Sequence, residues 1–86
     1  MLRLQRNIEN NTNHIVIPKI VRQNWGNRYD VLDCDGHILI KPGDTKNIVK
    51  GSKLFIQKEL VNKYGKSVYM EIYKDHIILK PTSKEE

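Results

Sequence analysis

Apolar and polar residues alternate along several short stretches of the chain, and this period of two predicts β-strands. Segment 1–8 contains such an alternation, and a β-branched run follows at 14–17. The residues between them, 9–13, are mostly asparagine, which favours turns because its side chain bonds to its own backbone. We therefore expect these two strands to form a hairpin that ends at Pro18.

The spacing of apolar residues changes to that of an α-helix between Pro18 and Gly26. Ile20, Val21 and Trp25 recur at helical spacing over about two turns. Proline suits a first turn because the N–H that it lacks has no helical partner there, and glycine often ends a helix in the left-handed conformation. We predict a short helix that packs the Trp25 ring over the core, with stacking on a nucleic-acid base as the alternative.

Two further strands follow this helix, at 29–34 and 37–41. Asp35 and Gly36 between them form the strongest short hairpin signal in the chain. Pro42 ends the second strand, since proline cannot donate a hydrogen bond to a ladder. The segment after the helix is therefore a predicted β-hairpin.

The stretch 15–42 occurs a second time at 54–81, displaced by 39 residues without a gap. Seven of the 28 aligned positions are identical, and these are Ile17/Ile56, Lys19/Lys58, Gly26/Gly65, His37/His76, Ile38/Ile77, Lys41/Lys80 and Pro42/Pro81. Each copy then reads strand, turn, strand, short helix, strand, turn, strand, with a short strand at 47–50 opening the second. Neither copy is large enough to bury its own apolar face, so we expect the two to share one core.

The length of 86 residues has room for one small domain. We predict a single domain over 1–81, made of repeat one (1–43) and repeat two (44–81), followed by a disordered tail at 82–86. The sequence has a single cysteine, which excludes an intrachain disulfide. We expect this residue, Cys34, to act as a small apolar side chain near the end of a strand. No leader or membrane-spanning run is evident, so we expect no membrane association and a cytoplasmic location.

Fifteen Lys and Arg against ten Asp and Glu give a net charge of +5, which favours a polyanionic partner such as double-stranded DNA. Solvation of the outer faces by long charged side chains is the alternative. The candidate DNA-binding residues lie in or near the first hairpin and the helix of each repeat, and they are Arg3, Arg6, Lys19, Arg22, Lys46, Lys50, Lys53, Lys58 and Lys63.

Catalytic and metal-binding motifs are missing from the sequence. There is no phosphate-binding glycine loop, no HExxH motif and no nucleophile elbow, so we expect neither an enzyme nor a cofactor. Asp33 and Asp35 suit a turn as well as acid/base chemistry. His37 and His76 occupy matching positions and are expected to flank turns rather than to bind a metal together with His14.

Residues 15–22 and 37–42 carry a resemblance to a known family, and residues 53–60 and 76–81 carry it more weakly. A hairpin ending in Ile-x-Ile-Pro, a short helix with an arginine and a closing glycine, and a hairpin ending in Ile-x-Ile-Lys-Pro resemble the swapped-hairpin domain of the AbrB, MazE and SpoVT transcription regulators. The resemblance covers most of the chain. It implies an α+β fold, a swapped-hairpin AbrB-like β-barrel built from two tandem ββαββ repeats, each with one short helix.

Because both repeats lie in one chain, the resemblance also implies a monomeric pseudo-dimer, as in the tandem MraZ regulators, with further dimerisation left open. It implies a DNA-binding transcriptional regulator. If the two repeats are related by a pseudo-twofold axis, the basic residues form one extended surface, in which Arg22 is the best candidate for a bidentate contact to a guanine edge. Arg22 has Val61 as its counterpart and His14 has Lys53, so a strictly palindromic site is not expected. The alternative is a protein-interaction module that binds and inhibits another protein, as a host-takeover protein or an antitoxin does.

Overall fold

The structure is a computed structural model, and it describes residues 2–8, 13–43, 47–49 and 52–82. Ten elements follow one another along the chain: β1 (Leu2–Asn7), β2 (His14–Val16), α1 (Lys19–Trp25), β3 (Arg28–Asp33), β4 (Ile38–Pro42), β5 (Asn47–Ile48), β6 (Lys53–Phe55), α2 (Lys58–Tyr64), β7 (Ser67–Ile72) and β8 (Ile77–Pro81). From β2 onward, every element of repeat one has a counterpart 39 residues later. The predicted order of strands and helices is confirmed.

The two helices begin and end where the sequence predicts. Pro18 and Gln57 precede α1 and α2 with nearly the same extended backbone. Gly26 and Gly65 follow the helices at positive φ, 83° and 85°, a region that favours glycine because it lacks a Cβ. The N–H of Gly26 donates to the Arg22 carbonyl at 3.0 Å, which closes the last turn.

The first strand of each repeat pairs with the third strand of the other. Six strands form one antiparallel sheet in the order β1-β7-β8-β4-β3-β5, and β2 pairs with β6 in a separate two-stranded sheet. The order of the large sheet reads the same from either end when the two repeats are exchanged. The fold of this part of the chain therefore has an approximate twofold relation between the repeats.

Hydrogen bonds outside the ladders repeat in the same way. The Ile17 amide donates to the Ser52 carbonyl at 2.7 Å, and the Ile56 amide donates to the Asn13 carbonyl at 2.7 Å. Cys34 N–H to the His37 carbonyl likewise has its match in Tyr73 N–H to the His76 carbonyl, at 3.0 and 2.8 Å. The backbone has kept this arrangement in both copies although most side chains differ.

Two expectations about strand pairing are wrong. The strands at 1–8 and 14–17 do not pair as a hairpin, because β1 adds to the edge of β7 and β2 pairs with β6. The large sheet is also open rather than a closed barrel. Its end strands, β1 and β5, bond to β7 and β3, while the strands of the small sheet bond to each other, so no ladder among the described strands joins the two ends.

The core lies between the large sheet on one side and the small sheet with both helices on the other. It is formed by residues of both repeats, among them Ile17 and Ile56, each 0% exposed. Trp25 packs against this core, which confirms the predicted packing of its ring, and Tyr64, at the matching position of repeat two, is buried in it. The shared core predicted from the repeat is therefore present.

The first residue of the predicted disordered tail, Thr82, is part of the fold, so the prediction is wrong at this residue. The Thr82 hydroxyl donates to the Ser67 carbonyl at 3.3 Å, so Thr82 belongs to the folded part. The remainder of the predicted tail, and the repeat boundary at 44, lie outside the described residues. Among the residues that are described, neither helix is long and apolar enough to cross a membrane.

Candidate nucleic-acid interface

The small sheet presents a mixed basic and apolar row to solvent. Within it, His14 lies opposite Phe55 and Val16 lies opposite Lys53. Side chains alternate between the faces of a strand, so the buried pair of Ile15 and Leu54 turns these four outward. The Phe55 side chain is 44% exposed, and its ring meets the His14 ring edge-on at 5.8 Å.

A lysine follows each strand of the small sheet. Lys19 is the first residue of α1 and Lys58 is the first residue of α2, and both are exposed. Because β2 and β6 are antiparallel, the two helices begin at opposite ends of the sheet. We call the set His14, Val16, Lys19, Lys53, Phe55 and Lys58 the ribbon surface.

Arg22 is held beside one end of this surface. Its Nε donates to the Ile17 carbonyl, just after β2, at 3.3 Å. Burial raises the pKa of the nearby Tyr29 phenol, and the Arg22 guanidinium lowers it in part. The Tyr29 hydroxyl donates to the Gly26 carbonyl at 2.6 Å. Arg22 is half-buried and is anchored at one end of the ribbon surface by its hydrogen bond to Ile17. Its contact with a guanine edge stays a prediction.

Arg3 lies on the opposite face of the large sheet from the ribbon. It is cross-strand from Glu71, with Nε at 3.6 Å from the carboxylate, and its guanidinium is 4.1 Å from the centre of the Tyr69 ring. The Lys80 ammonium also lies 3.3 Å from the Glu71 carboxylate, and the Tyr73 hydroxyl donates to this carboxylate at 3.0 Å. Glu71 is 5% exposed under these side chains, so Arg3 is part of a structural ion cluster.

Lys63 is also engaged away from the ribbon. Its ammonium lies 2.8 Å from Asp33 and 4.0 Å from Asp35, at the turn between β3 and β4. Asp33 also accepts a hydrogen bond from the Tyr64 hydroxyl at 2.5 Å. Hydrogen bonds from Lys63, and then from Tyr64, lower the pKa of Asp33 from its ordinary 3.8 to about 2. The Asp35 amide donates to Asp33 as well, so this acidic pair forms the turn, which is one of the two roles that the sequence left open.

The remaining candidates divide between one exposed residue and two outside the described residues. Arg6 is exposed, and by strand alternation it lies on the core-facing side of β1, the side that carries the ribbon. Lys46 and Lys50 fall outside the described residues. The structure therefore places Lys19, Lys53 and Lys58 along the ribbon surface with Arg22 beside one end, leaves Arg6 on the same side, and places Arg3 and Lys63 elsewhere.

Sequence reasoning did not identify the apolar residues of the ribbon surface. Val16 and Phe55 are exposed large hydrophobic residues in the middle of a basic surface. A signal for them was present, because Phe55 stands between Leu54 and Ile56, and the alternation of a strand turns it away from those two. Its exposure was not deduced because the sequence does not show which face is buried.

The histidines do not form a common site. His76 stacks on Tyr73 with ring centres 4.6 Å apart, and its Nδ1 lies 2.6 Å from Asp75, which fits the predicted role beside a turn. His14 packs against Phe55 in the small sheet. Across the described ranges, no group of three His, Cys, Asp or Glu side chains is placed to hold a metal ion.

Comparisons of the chain with protein-family models, with curated proteins and with solved structures find no match.

Proposed function

We propose that the protein is a small cytoplasmic DNA-binding transcriptional regulator that contacts double-stranded DNA with its ribbon surface. The observation that carries this proposal is the placement of Lys53 on the outward face of a two-stranded ribbon, with Lys19 and Lys58 at its two ends. Arg22 is anchored beside one of these ends. Four basic side chains, two from each repeat, therefore lie along the two-stranded ribbon.

The exchange of first strands supports the same proposal. β1 of repeat one completes the hairpin of repeat two, and β5 of repeat two completes the hairpin of repeat one. The resemblance to a swapped-hairpin domain implies an exchange of elements between two units, and here single strands are exchanged in place of the expected hairpin of strands 1–8 and 14–17. We therefore propose that the chain is a monomeric pseudo-dimer of that architecture, with an open large sheet in place of the barrel.

The ribbon surface has the size and the chemistry to enter the major groove. A two-stranded β-ribbon fits this groove, where side chains reach the base edges. Lys19 and Lys58, at opposite ends of the ribbon, would each meet a phosphate backbone, since counterion release makes such contacts favourable. Val16 and Phe55 between them would contact apolar groups such as the thymine methyl.

The two ends of the surface differ in chemistry. His14 at one end corresponds to Lys53 at the other, and Arg22 corresponds to the buried Val61. Each half of the surface would therefore contact its half-site with different side chains. We propose that the preferred DNA site is asymmetric rather than palindromic.

The test is a titration of fluorescently labelled duplex DNA, followed by anisotropy at low and near-physiological salt. The variant Lys19→Gln/Lys58→Gln is compared with a matched control, Lys41→Gln/Lys66→Gln, which removes two exposed lysines outside the ribbon surface. We expect the slope of log affinity against log salt to fall by about 0.9 for each phosphate that is no longer neutralised, so only the ribbon variant shows a fall of about 2. Equal falls in both variants would mean that binding follows net charge alone.

A second candidate function is supported by the apolar part of the same surface. Phe55 and Val16 are 44% and 43% exposed and lie on the same outward face of the small sheet, and neighbouring exposed apolar side chains suit contact with another protein. In this alternative, the ribbon surface binds and inhibits a protein partner. Failure of the wild-type protein to bind duplex DNA even at low salt would favour this alternative over the regulator.

A further inference from the structure

Each helix packs against the turn of the other repeat's hairpin, and we call the two places the α1 junction and the α2 junction. At the α2 junction, polar groups close the contact. The Tyr64 hydroxyl donates to Asp33 at 2.5 Å and accepts from the Gly36 amide at 3.0 Å, and Lys63 pairs with Asp33 alongside. The turn of repeat one is thereby fixed to the helix of repeat two.

The α1 junction has the same backbone position but different side chains. Trp25 stands in the place of Tyr64, Ile72 in the place of Asp33, and Tyr73 in the place of Cys34. A groove of about 240 Å³ lies here between α1 and the end of β7. It is lined mainly by these apolar and aromatic side chains together with Ile20.

Ile20 marks this groove as different from an ordinary surface depression. It is 63% exposed, the highest value among the large hydrophobic residues that are exposed in the described part of the chain. The corresponding residue of α2 is Glu59, a charged residue suited to the first turn of a helix. Repeat two therefore has a charged residue at the position where repeat one exposes an apolar residue.

We propose that the groove at the α1 junction binds an apolar side chain from an acidic segment of a partner protein. Its volume is below the 300 to 1,000 Å³, roughly, that is typical of small-molecule sites, so it suits a side chain better than a cofactor. The groove shares no residue with the ribbon surface, which it adjoins at Lys19 and Ile20, and the proposal does not depend on DNA binding.

Charge decides the kind of segment. Lys74 lines the groove and is exposed. The nearest carboxylate along the chain, that of Asp75 in the same turn, is bonded to His76 at 2.6 Å and is not among the residues that line the groove. The α2 junction, in contrast, carries Asp33 and Asp35. A protein with a net charge of +5 also attracts acidic chains over longer distances. An acidic segment would place its apolar side chain against Trp25 and Ile20 and its carboxylate beside Lys74.

The single tryptophan gives a direct readout of this site, because Trp25 lines the groove and is the only tryptophan in the chain. The probe is a short tryptophan-free peptide in which leucine and phenylalanine alternate with aspartate and glutamate. We expect saturable binding with a shift of Trp25 emission to shorter wavelength, as the ring leaves water. Two control peptides replace the apolar residues with serine, or the acidic residues with lysine, and both should bind at least about tenfold more weakly.

The matched protein variants are Ile20→Glu and Leu32→Glu. Both place a carboxylate at an exposed apolar position, but Leu32 lies on the large sheet away from the groove. Ile20→Glu repeats the residue that α2 already carries, so it should fold, and it should weaken peptide binding about tenfold or more, while Leu32→Glu should leave it nearly unchanged. Equal effects of both variants, or no saturable shift, would overturn the proposal. A shift of Trp25 emission when the protein alone is concentrated would overturn the assigned occupant in favour of a second copy of the chain.

Discussion

The α1 and α2 junctions show how two copies of one sequence pattern can share a backbone and differ in chemistry. The amide hydrogen bonds of Ile17 and Ile56 are the same in both halves, and so is the closing of each helix at a glycine. At the α2 junction, Tyr64, Asp33 and Lys63 satisfy one another, whereas the α1 junction leaves Trp25 beside an open groove. Backbone hydrogen bonding depends little on side-chain identity, so the repeat preserves the fold while its surfaces diverge.

The largest expected effect is on stability, and it concerns the core, which both repeats form with matching residues. Ile17→Ala and Ile56→Ala each remove a fully buried side chain at matching positions, and each should lower the free energy of unfolding by about 2 to 5 kcal/mol. Urea denaturation followed by circular dichroism measures both. Ile20→Ala is the control, since its exposed side chain should change stability by less than about 0.5 kcal/mol.

A decrease of less than about 1 kcal/mol in either variant would contradict the shared role assigned to the two repeats, because even a site that collapses well loses more than this on removal of a fully buried isoleucine side chain. Equal decreases would show that each copy contributes the same layer to one core. The comparison is sharp because both residues follow a strand of the small sheet and bond across to the other repeat.

The next prediction concerns a position at which the two repeats differ in charge. Arg22→Ala removes the arginine that repeat two replaces with Val61, and it should weaken DNA binding by about 1 to 3 kcal/mol if it contacts a guanine. Arg28→Ala is the control, because Arg28 is exposed on β3 and lies outside the ribbon surface. Anisotropy measures affinity, and circular dichroism checks that both variants fold. Unchanged affinity in Arg22→Ala would remove this residue from the interface.

A smaller effect is expected from the hydrogen bonds of the α2 junction. Tyr64→Phe removes the hydroxyl that accepts from Gly36 and donates to Asp33, at a cost of about 1 kcal/mol in the free energy of unfolding. Urea denaturation measures the change. Stability equal to wild type would mean that these hydrogen bonds do no more than replace those made to water.

The smallest effect is the dependence of this junction on pH. The pKa of Asp33 is lowered from 3.8 to about 2 by its contacts with Lys63 and Tyr64, so the ionised carboxylate stabilises the folded state above about pH 4. This contribution is lost as the pH falls from about 4 towards 2. Wild type should therefore exceed Asp33→Asn in stability at pH 6, and the gap should narrow over that window. A gap that stays constant down to pH 2 would contradict the assigned contacts.

Local sequence features predicted the elements of this fold but not their pairing. Pro18 and Gly26 marked the limits of α1, and Asp35 with Gly36 marked the turn between β3 and β4, because each of these preferences depends on the residue's own backbone. The pairing of β1 with β7 joins residues sixty to seventy positions apart, as at Leu4 and Met70. Alternation indicates which side chains share a face of a strand, and it carries no information on which strand lies alongside.

The candidate site was predicted in part for the same reason. Lys19 and Lys58 were grouped as candidates from their positions near the helices, and the structure shows that these helices follow the strands of the small sheet. Arg3 was grouped with them from its position near the first strand, and only the pairing of β1 with β7 shows that it meets Glu71 on the other face. The exposure of Phe55 likewise depends on which side of β6 faces the core.

The most direct test of the central claim is an amide NMR titration of the isotope-labelled protein with duplex DNA. The account predicts that the largest shift changes fall on β2, β6 and the first residues of α1 and α2, with little change around Arg3, Glu71 and Lys80 on the other face of the large sheet. Changes confined to that other face, or no saturable changes at low salt, would contradict the assignment of the ribbon surface to DNA binding.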